Sequence, residues 1–219
     1  MGLIALMDRG GESVLLWYEM ELLRRWDGKP CRLGILAGSF NPVTVAHLAL
    51  GKAALNVVDE VVFVLPREFP HKTYSGASLE QRIELLLLAL EAHPRLSAAV
   101  SEQGLFVDIA RECREVYGAN VRLSFLCGRD AAERIVNWDY GHPEAFRQML
   151  QSFDFLVAAR SGEYYPPQDL LASFGRLELN GEFDQVSASE VRSRIVGGEP
   201  WEHLVPEAVR RRVGEIYTA

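Results

Sequence analysis

The order of apolar and polar residues predicts a chain in which strands alternate with helices. Short apolar runs, which are typical of buried strands, lie at residues 32–37, 60–66, 121–127 and 154–159, with a weaker candidate at 176–179. Apolar residues at helical spacing predict helices over residues 44–55, 78–93, 106–117, 187–196 and 206–217. Strands separated by helices of this length form parallel sheets with helices on both faces. We therefore expect an α/β fold with a doubly wound, mostly parallel sheet.

The N-terminal segment precedes the first predicted core strand. Residues 13–26 carry apolar side chains at helical spacing, which predicts an extra amphipathic helix. We therefore divide the chain into an N-terminal helical appendage over residues 1–30 and a main domain over residues 31–219. The predicted helix would cover the domain or contact a second subunit. The sequence therefore leaves open whether the protein forms a homo-oligomer.

Composition and charge argue against nucleic acid and membranes as partners. The chain has 23 Lys and Arg against 30 Asp and Glu, a formal net charge of −7, whereas a nucleic-acid-binding surface would need a basic footprint. The longest apolar stretch, residues 85–90, is too short to cross a membrane. Early acidic residues do not fit a secretion signal, and three dispersed cysteines do not form a disulfide framework. We expect a cytoplasmic protein that binds neither nucleic acid nor membrane.

The segment Gly38–His47 is the first candidate site. It follows the first predicted strand and leads into a predicted helix, and ligands of open parallel sheets bind beyond the carboxyl ends of the strands. Glycine permits close approach of the backbone to a ligand, and the amides at a helix start suit phosphate. On spacing alone, a phosphate site and an ordinary strand–turn–helix with a surface histidine carry similar weight.

The segment resembles the phosphate-binding motif of the nucleotidyltransferase superfamily, Gly-x-Phe-Asp/Asn-Pro-x-His/Thr-x-x-His. The resemblance implies a Rossmann-like nucleotidyltransferase fold for residues 31–219. It also implies that His47 contacts the α- and β-phosphates of ATP. The ATP-binding residues that it implies in this segment are Gly38, Ser39, Phe40, Thr44 and His47. Ala46 stands where the family more often has glycine.

A second segment, Val186–Arg192, resembles the Ile-Ser-Ser-Thr-x-Ile-Arg signature of the same superfamily. Ser187 is placed to cap a helix, and the forked donors of Arg192 suit the ATP phosphates. The resemblance implies that Ser187, Ser189 and Arg192 bind ATP. Ala188 replaces the family's second serine.

Further matches resemble one branch, the nicotinate or nicotinamide mononucleotide adenylyltransferases. They are Pro70-His71-Lys72, Gly128-Arg129-Asp130 followed by Trp138, the run from Phe155 through Arg160 to Gly162, and Leu204 to Val209. The resemblance places Gly128 and Asp130 with the other ATP-binding residues, near the adenosine ribose. It implies that the mononucleotide binds Asn41, Lys72, Trp138 and Arg160, with Trp138 stacked on the pyridine ring. Taken by itself, a lone tryptophan is more often a core residue.

One stretch departs from the branch. The bacterial nicotinate enzymes have a Ser-Tyr-Thr segment near the pyridine substituent, and the nearest stretch here is Gly104-Leu105-Phe106-Val107-Asp108. The tyrosine and threonine hydroxyls are absent. The choice between the acid and the amide of the pyridine nucleotide therefore stays open.

The chemistry implied is an in-line attack by the 5′-phosphate of a mononucleotide on the α-phosphorus of ATP, with release of pyrophosphate. Such a reaction needs positioning and charge stabilisation rather than a covalent intermediate. The catalytic residues would be His47, Arg192 and Lys72, helped by the amides of Gly38 and Ser39. Mg²⁺ would enter with ATP, held by substrate and water, and we predict no protein metal ligands.

Two alternatives remain. One is a related transferase with another acceptor, either phosphopantetheine or the acceptor of a cytidylyltransferase. The other is a nucleotide-binding sensor without turnover, which the departures at Ala46 and Ala188 would fit. The partners expected under the main interpretation are the small molecules ATP and a mononucleotide.

Overall fold

The computed structural model describes residues 3–7, 13–17, 20–68, 76–142, 144–158, 164–179, 183 and 186–218. The strands, in chain order, are β1 Leu3–Met7, β2 Ser13–Trp17, β3 Met20–Arg24, β4 Arg32–Ala37, β5 Glu60–Pro66, β6 Leu96–Ser101, β7 Arg122–Gly128, β8 Asp154–Ala158 and β9 Phe174–Leu177. The α-helices are α1 Val45–Ala54, α2 Leu79–Leu90, α3 Phe106–Tyr117, α4 Arg129–Val136, α5 Ala145–Met149, α6 Ala188–Gly197 and α7 Arg210–Tyr217.

Seven strands form one sheet in the order β3-β6-β5-β4-β7-β8-β9. Every neighbouring pair is parallel except β3 with β6, which is antiparallel. The chain builds the sheet outward from β4 through β5 and β6, and then returns to place β7 on the other side of β4. The direction of winding therefore reverses between β4 and β7, which is where such sheets bind ligands.

The core has two layers, one on each face of the sheet. Along β5, Val61, Phe63 and Leu65 pack with α1, α2 and α7 on one face, while Val62 and Val64 pack with α3 on the other. Alternate residues of a strand point to opposite faces, so a strand buried on both sides needs a continuous apolar run. This is why the runs in the sequence indicated the central strands. The expected α/β fold with a doubly wound, mostly parallel sheet is confirmed.

Agreement between prediction and structure is closest in the centre of the sheet. The strands β4 and β5 and the helix α3 have the predicted bounds, and the other predicted elements differ by a few residues at their ends. Among the strands and α-helices, β1, β6, α4 and α5 were not predicted at all. The strand β6 is built largely of small residues, Leu-Ser-Ala-Ala-Val-Ser, and the helix α4 begins directly after the last residue of β7 without a separating turn.

The predicted N-terminal helix is wrong. Residues 13–17 form β2, which pairs with β1 in a two-stranded sheet, and residues 20–24 form β3. β3 covers the outer edge of β6, pairing Met20 with Ser101 and Leu22 with Ala99. An uncovered strand edge offers a row of backbone donors and acceptors, and this pairing outweighs the local helical pattern. The division at residue 30 stays a prediction, although β3 already belongs to the sheet of the main domain.

Within the described part of the chain, no helix is both long enough and apolar enough to span a bilayer.

Candidate functional site

A cavity of about 520 Å³ lies at the point where the winding of the sheet reverses. We call it the nucleotide cavity, after the ligand that the resemblance implies. Its walls include Ala37 at the end of β4, His47 from α1, and Gly128 and Asp130 at the junction of β7 and α4. The structure thus brings together three of the residues implicated by the sequence, His47, Gly128 and Asp130, at the carboxyl edge of the sheet.

His47 is oriented by the residue that caps its own helix. The Thr44 amide donates a hydrogen bond to His47 Nδ1 at 3.0 Å, the Thr44 hydroxyl lies 2.9 Å from the same nitrogen, and the His47 amide donates back to that hydroxyl. A nitrogen that accepts from an amide is unprotonated, so the ring proton belongs on Nε2. The Phe40 ring packs edge-to-face on the imidazole at 5.1 Å between centroids. His47 is therefore held as a neutral ring that carries its donor on Nε2.

The turn between β4 and α1 is largely buried. Phe40 is 1% exposed and adopts a left-handed backbone conformation with φ of 43°, and Thr44 is fully buried. Phe40 and Thr44 were expected to bind ATP directly, but residues so buried have almost no surface for a ligand. Their observed contacts instead position His47. The Gly38 amide donates to the Val64 carbonyl at 3.0 Å, so the expectation that this amide faces phosphate is wrong.

The two halves of the signature meet in space. The Arg192 guanidinium donates through Nη1 to the carbonyls of Asn41 and Ala188, and through Nη2 to the Ser189 hydroxyl. Ser187 caps α6 as predicted, accepting a hydrogen bond from the Glu190 amide at 3.1 Å. Arg192 thus ties the start of α6 to the turn before α1. The contact of Ser187, Ser189 and Arg192 with ATP stays a prediction.

Asn41 links two segments of the chain by hydrogen bonds, and its side chain is not accessible to a ligand. It is 4% exposed, and its side-chain oxygen accepts from the Tyr217 hydroxyl at 2.5 Å and from the Ala77 amide at 3.3 Å. Gly76 approaches the Asn41 amide so closely that an added Cβ would lie 2.4 Å from its nitrogen, and its φ is +125°. Asn41 was expected to bind the mononucleotide, and burial makes a direct contact of its side chain with a ligand unfavourable.

Sequence reasoning missed two residues that support this turn. Arg82 of α2 is 3% exposed and donates to the Ser39 carbonyl at 3.0 Å. Tyr217 reaches Asn41 from the far end of the chain. The signal available for Arg82 was its spacing, because it stands three residues after Leu79 and four before Leu86 on the apolar face of the predicted helix. No pattern in the sequence pointed to Tyr217, because the contact depends on where α7 packs.

Trp138 lies in a second cavity, of about 410 Å³, which we call the ring cavity. Its walls include Leu105 and Phe106 at the start of α3, and Ile135, Trp138 and Tyr140 around the end of α4. Trp138 is 53% exposed, so the interpretation of this residue as a core tryptophan is wrong. The stretch that departs from the branch's Ser-Tyr-Thr therefore forms the wall facing Trp138, and it is apolar.

Two nucleophilic side chains in the cavities, Cys127 and Tyr140, are held in their protonated forms. Cys127 lines the nucleotide cavity, but burial raises the pKa of its thiol to about 12, so it is not a thiolate at neutral pH. Burial also raises the pKa of Tyr140 in the ring cavity to about 12. In the regions the structure describes, no group of His, Cys, Asp or Glu side chains could hold a metal ion. The site offers positioning and hydrogen-bond donors.

Two implicated cations, Lys72 and Arg160, lie outside the described residues. Their roles stay predictions.

The model of the family described as cytidylyltransferase-like matches residues 35–194, which include both halves of the signature. The chain belongs to this family. It is 29% identical over 202 residues to a probable nicotinate-nucleotide adenylyltransferase of Moorella thermoacetica, with 84% of this chain and 90% of the relative covered. It is 32% identical over 186 residues to a protein of the same name from Thermus thermophilus, covering 81% and 94%.

A solved structure of Plasmodium falciparum nicotinic acid mononucleotide adenylyltransferase complexed with NaAD has a similar fold. The TM-score is 0.65 with 17% identity, and the match covers 84% of this chain and 95% of that one. The Rossmann-like nucleotidyltransferase fold implied by the two motifs is confirmed.

Proposed function

We propose that the protein is an adenylyltransferase that joins nicotinate mononucleotide, or its amide, to the AMP part of ATP and releases pyrophosphate. The product would be a dinucleotide of the NAD biosynthetic route. The observation that carries this proposal is the meeting of Arg192 with the turn that presents His47, beside the cavity where the sheet reverses its winding. This contact brings together two motifs far apart in the sequence, and we infer that they form one site whose donors suit a triphosphate.

The reaction needs no protein nucleophile. The 5′-phosphate of the acceptor is already anionic, and it would attack the α-phosphorus of ATP in line with the leaving pyrophosphate. His47 would donate from Nε2 to the α-phosphate, where negative charge grows, and Arg192 would stabilise the charge on the leaving pyrophosphate. Asp130 and Gly128 would contact the adenosine ribose. Lys72 would add a cation near the phosphates.

The magnesium ion would arrive as part of the substrate. ATP reaches the enzyme as its Mg²⁺ complex, in which phosphate oxygens and water supply most ligands. The side chains assigned to the phosphates, the neutral His47 and Arg192, are hydrogen-bond donors that suit phosphate rather than a divalent cation, and the carboxylate of Asp130 is assigned to the ribose. MgATP is therefore the substrate of the proposed reaction.

The acceptor is proposed from the ring cavity and from the relatives. Trp138 is an exposed aromatic face beside apolar walls, which suits the stacking of a flat ring. The curated relatives that match most of the chain are named as acting on nicotinate nucleotide. Nicotinamide mononucleotide stays a competing acceptor, because Leu105 and Phe106 make the wall beside Trp138 apolar. We further propose that the enzyme acts in the cytoplasm, with small molecules as its partners, and a homo-oligomer stays open.

The test is a panel of acceptors with MgATP and purified full-length protein. Nicotinate mononucleotide, nicotinamide mononucleotide and phosphopantetheine are each supplied, and both pyrophosphate and the joined product are measured. Product from a pyridine mononucleotide supports the proposal, and the faster of the two names the acceptor. Product only from phosphopantetheine would assign another acceptor class. Nucleotide binding without pyrophosphate from any acceptor would favour a sensor.

A further inference from the structure

One face of α4 and the turn after it runs from the nucleotide cavity to the ring cavity. Asp130, Arg134 and Trp138 follow one another at intervals of four residues, which places them along the same side. Asp130 lines the nucleotide cavity, Trp138 lines the ring cavity, and Arg134 lines both. The Arg134 side chain therefore stands at the junction of the two cavities.

The Arg134 guanidinium is held at this junction without a carboxylate partner from the described residues. Its Nε donates to the Asp130 carbonyl at 3.1 Å, which directs the side chain back toward the start of α4 and the carboxyl edge of the sheet. Arg129 on the same helix is different, because it pairs with Glu133 at 2.8 Å. A guanidinium in a cavity wall, anchored through one nitrogen, keeps its other donors for an anion of the ligand.

We propose that Arg134 binds the 5′-phosphate of the acceptor mononucleotide. This inference rests on the proposed function. If the acceptor ring stacks on Trp138 and the α-phosphate of ATP lies beside His47, the acceptor phosphate must cross the junction where Arg134 lies. Donation from the guanidinium fixes the attacking oxygen, and it selects ligands in which a flat base is joined through ribose to a phosphate. The corresponding nucleosides are poor ligands.

The test is a binding cycle by calorimetry on the full chain. Nicotinate mononucleotide and nicotinate riboside differ only in the phosphate, so the ratio of their affinities measures what the phosphate contributes. A hydrogen bond to a charged group corresponds to roughly a 10- to 150-fold change in affinity. We expect Arg134→Gln to reduce the ratio by an amount in this range and to leave riboside binding unchanged. Arg134→Lys should retain part of the ratio, because it keeps the charge.

The matched control is Arg147→Gln. Arg147 is an arginine of α5 paired with Asp169, outside both cavities, and its loss should leave the ratio unchanged. Thermal melting checks that each variant is folded.

Four outcomes would overturn the inference. They are equal weakening of riboside and mononucleotide, selective weakening of the nicotinate over the nicotinamide mononucleotide, a rise in the KM for ATP alone, and no measurable binding of either ligand to wild type. The second outcome would assign Arg134 to the ring substituent, and the third to the ATP phosphates. Failure of the proposed function would give a different result. In that case the wild-type protein releases no pyrophosphate with any acceptor, even if the binding cycle behaves as expected.

Discussion

The Arg192 guanidinium donates a hydrogen bond to the carbonyl oxygen of Asn41. These residues belong to the two halves of the signature and are 151 positions apart. The bond holds the start of α6 against the turn before α1, so the geometry of one half of the signature depends on the other. An arginine can serve this purpose and still face a phosphate, because it has five N–H donors in a fixed fork.

The first prediction concerns Arg192. Lysine has one ammonium group and cannot reproduce the contacts with Asn41, Ala188 and Ser189, so Arg192→Lys should raise the KM for ATP and lower kcat. Arg192→Met should lower both kcat and affinity further. Steady-state kinetics at varied ATP measures the effect.

The control for Arg192 lies on the same helix. Arg194 pairs with Glu190 at 2.6 Å on the surface, and Arg194→Met should cost no more than about 1 kcal/mol of stability without changing the kinetics. If Arg192→Lys had the same KM for ATP and the same kcat as wild type, the several hydrogen bonds of the guanidinium would not be required.

The second prediction concerns Thr44, which both caps α1 and orients His47. Thr44→Val removes the hydroxyl that caps α1 and lies beside His47 Nδ1, so we expect a loss of about 1 kcal/mol in the free energy of unfolding. Turnover should also fall, because the imidazole loses one of its anchors. Thr44→Ser keeps the hydroxyl and should restore most of both. Urea unfolding and kcat are the measurements, and a valine variant with normal kcat would show that the hydroxyl does not position the ring.

The third prediction concerns Trp138. Stacking of a base on an aromatic side chain is worth about 1–3 kcal/mol, so Trp138→Ala should raise the KM for the mononucleotide roughly 5- to 150-fold. The KM for ATP should not change, and Trp138→Phe should recover part of the loss. Tyr165, which is 75% exposed, lies outside the ring cavity and supplies the control Tyr165→Ala. A uniform loss for both substrates would argue against stacking.

The fourth prediction concerns the pH dependence of stability and a residue pair at the start of β5, at the end of the sheet opposite the candidate site. The Tyr117 hydroxyl donates to Glu60 Oε1 at 2.9 Å, and burial, followed by the Glu60 carboxylate, raises the pKa of Tyr117 well above 10.0. The unfolded tyrosine ionises near pH 10 while the folded one does not, so the stabilisation is complete below pH 10 and is lost as the pH rises above it. The melting temperature of wild type should fall more steeply above pH 10 than that of Tyr117→Phe. Tyr165→Phe should keep the wild-type slope, and equal slopes in wild type and Tyr117→Phe would refute the assignment.

The fold could be predicted wherever burial alone determines the pattern. β5 lies between two layers of helices, so its residues are apolar on both sides and the run stands out. β3 could not be predicted, because its structure depends on the open edge of β6, and β6 itself is built of small residues with no strong pattern. The predicted N-terminal helix failed for this reason: a distant strand, rather than the local sequence, determines the conformation of residues 20–24.

The sequence predicted which residues belong to the site better than it predicted the role of each residue. The motifs identified His47 and Arg192, and the structure brings Arg192 of α6 against the turn that leads into the helix of His47. They could not show that Phe40, Asn41 and Thr44 are buried supports, because a motif records which residues occur and not which atoms are accessible. The support from Arg82 depends on how α2 packs against the Ser39 carbonyl, which is a tertiary relationship.

The central claim is that His47 donates from Nε2 to phosphate during nucleotidyl transfer. His47→Asn places an oxygen where Nδ1 accepts from Thr44 and removes the donor at Nε2, whereas His47→Gln can place a donor near the Nε2 position. Removal of one such donor costs roughly 10²- to 10³-fold in kcat. The decisive measurement is the rate of pyrophosphate release from MgATP and nicotinate mononucleotide by wild type and by His47→Asn, with thermal melting to show that both are folded. We expect wild type to release pyrophosphate and the folded His47→Asn variant to lose activity by this factor. Release at the wild-type rate by a folded His47→Asn variant would show that His47 does not donate to phosphate.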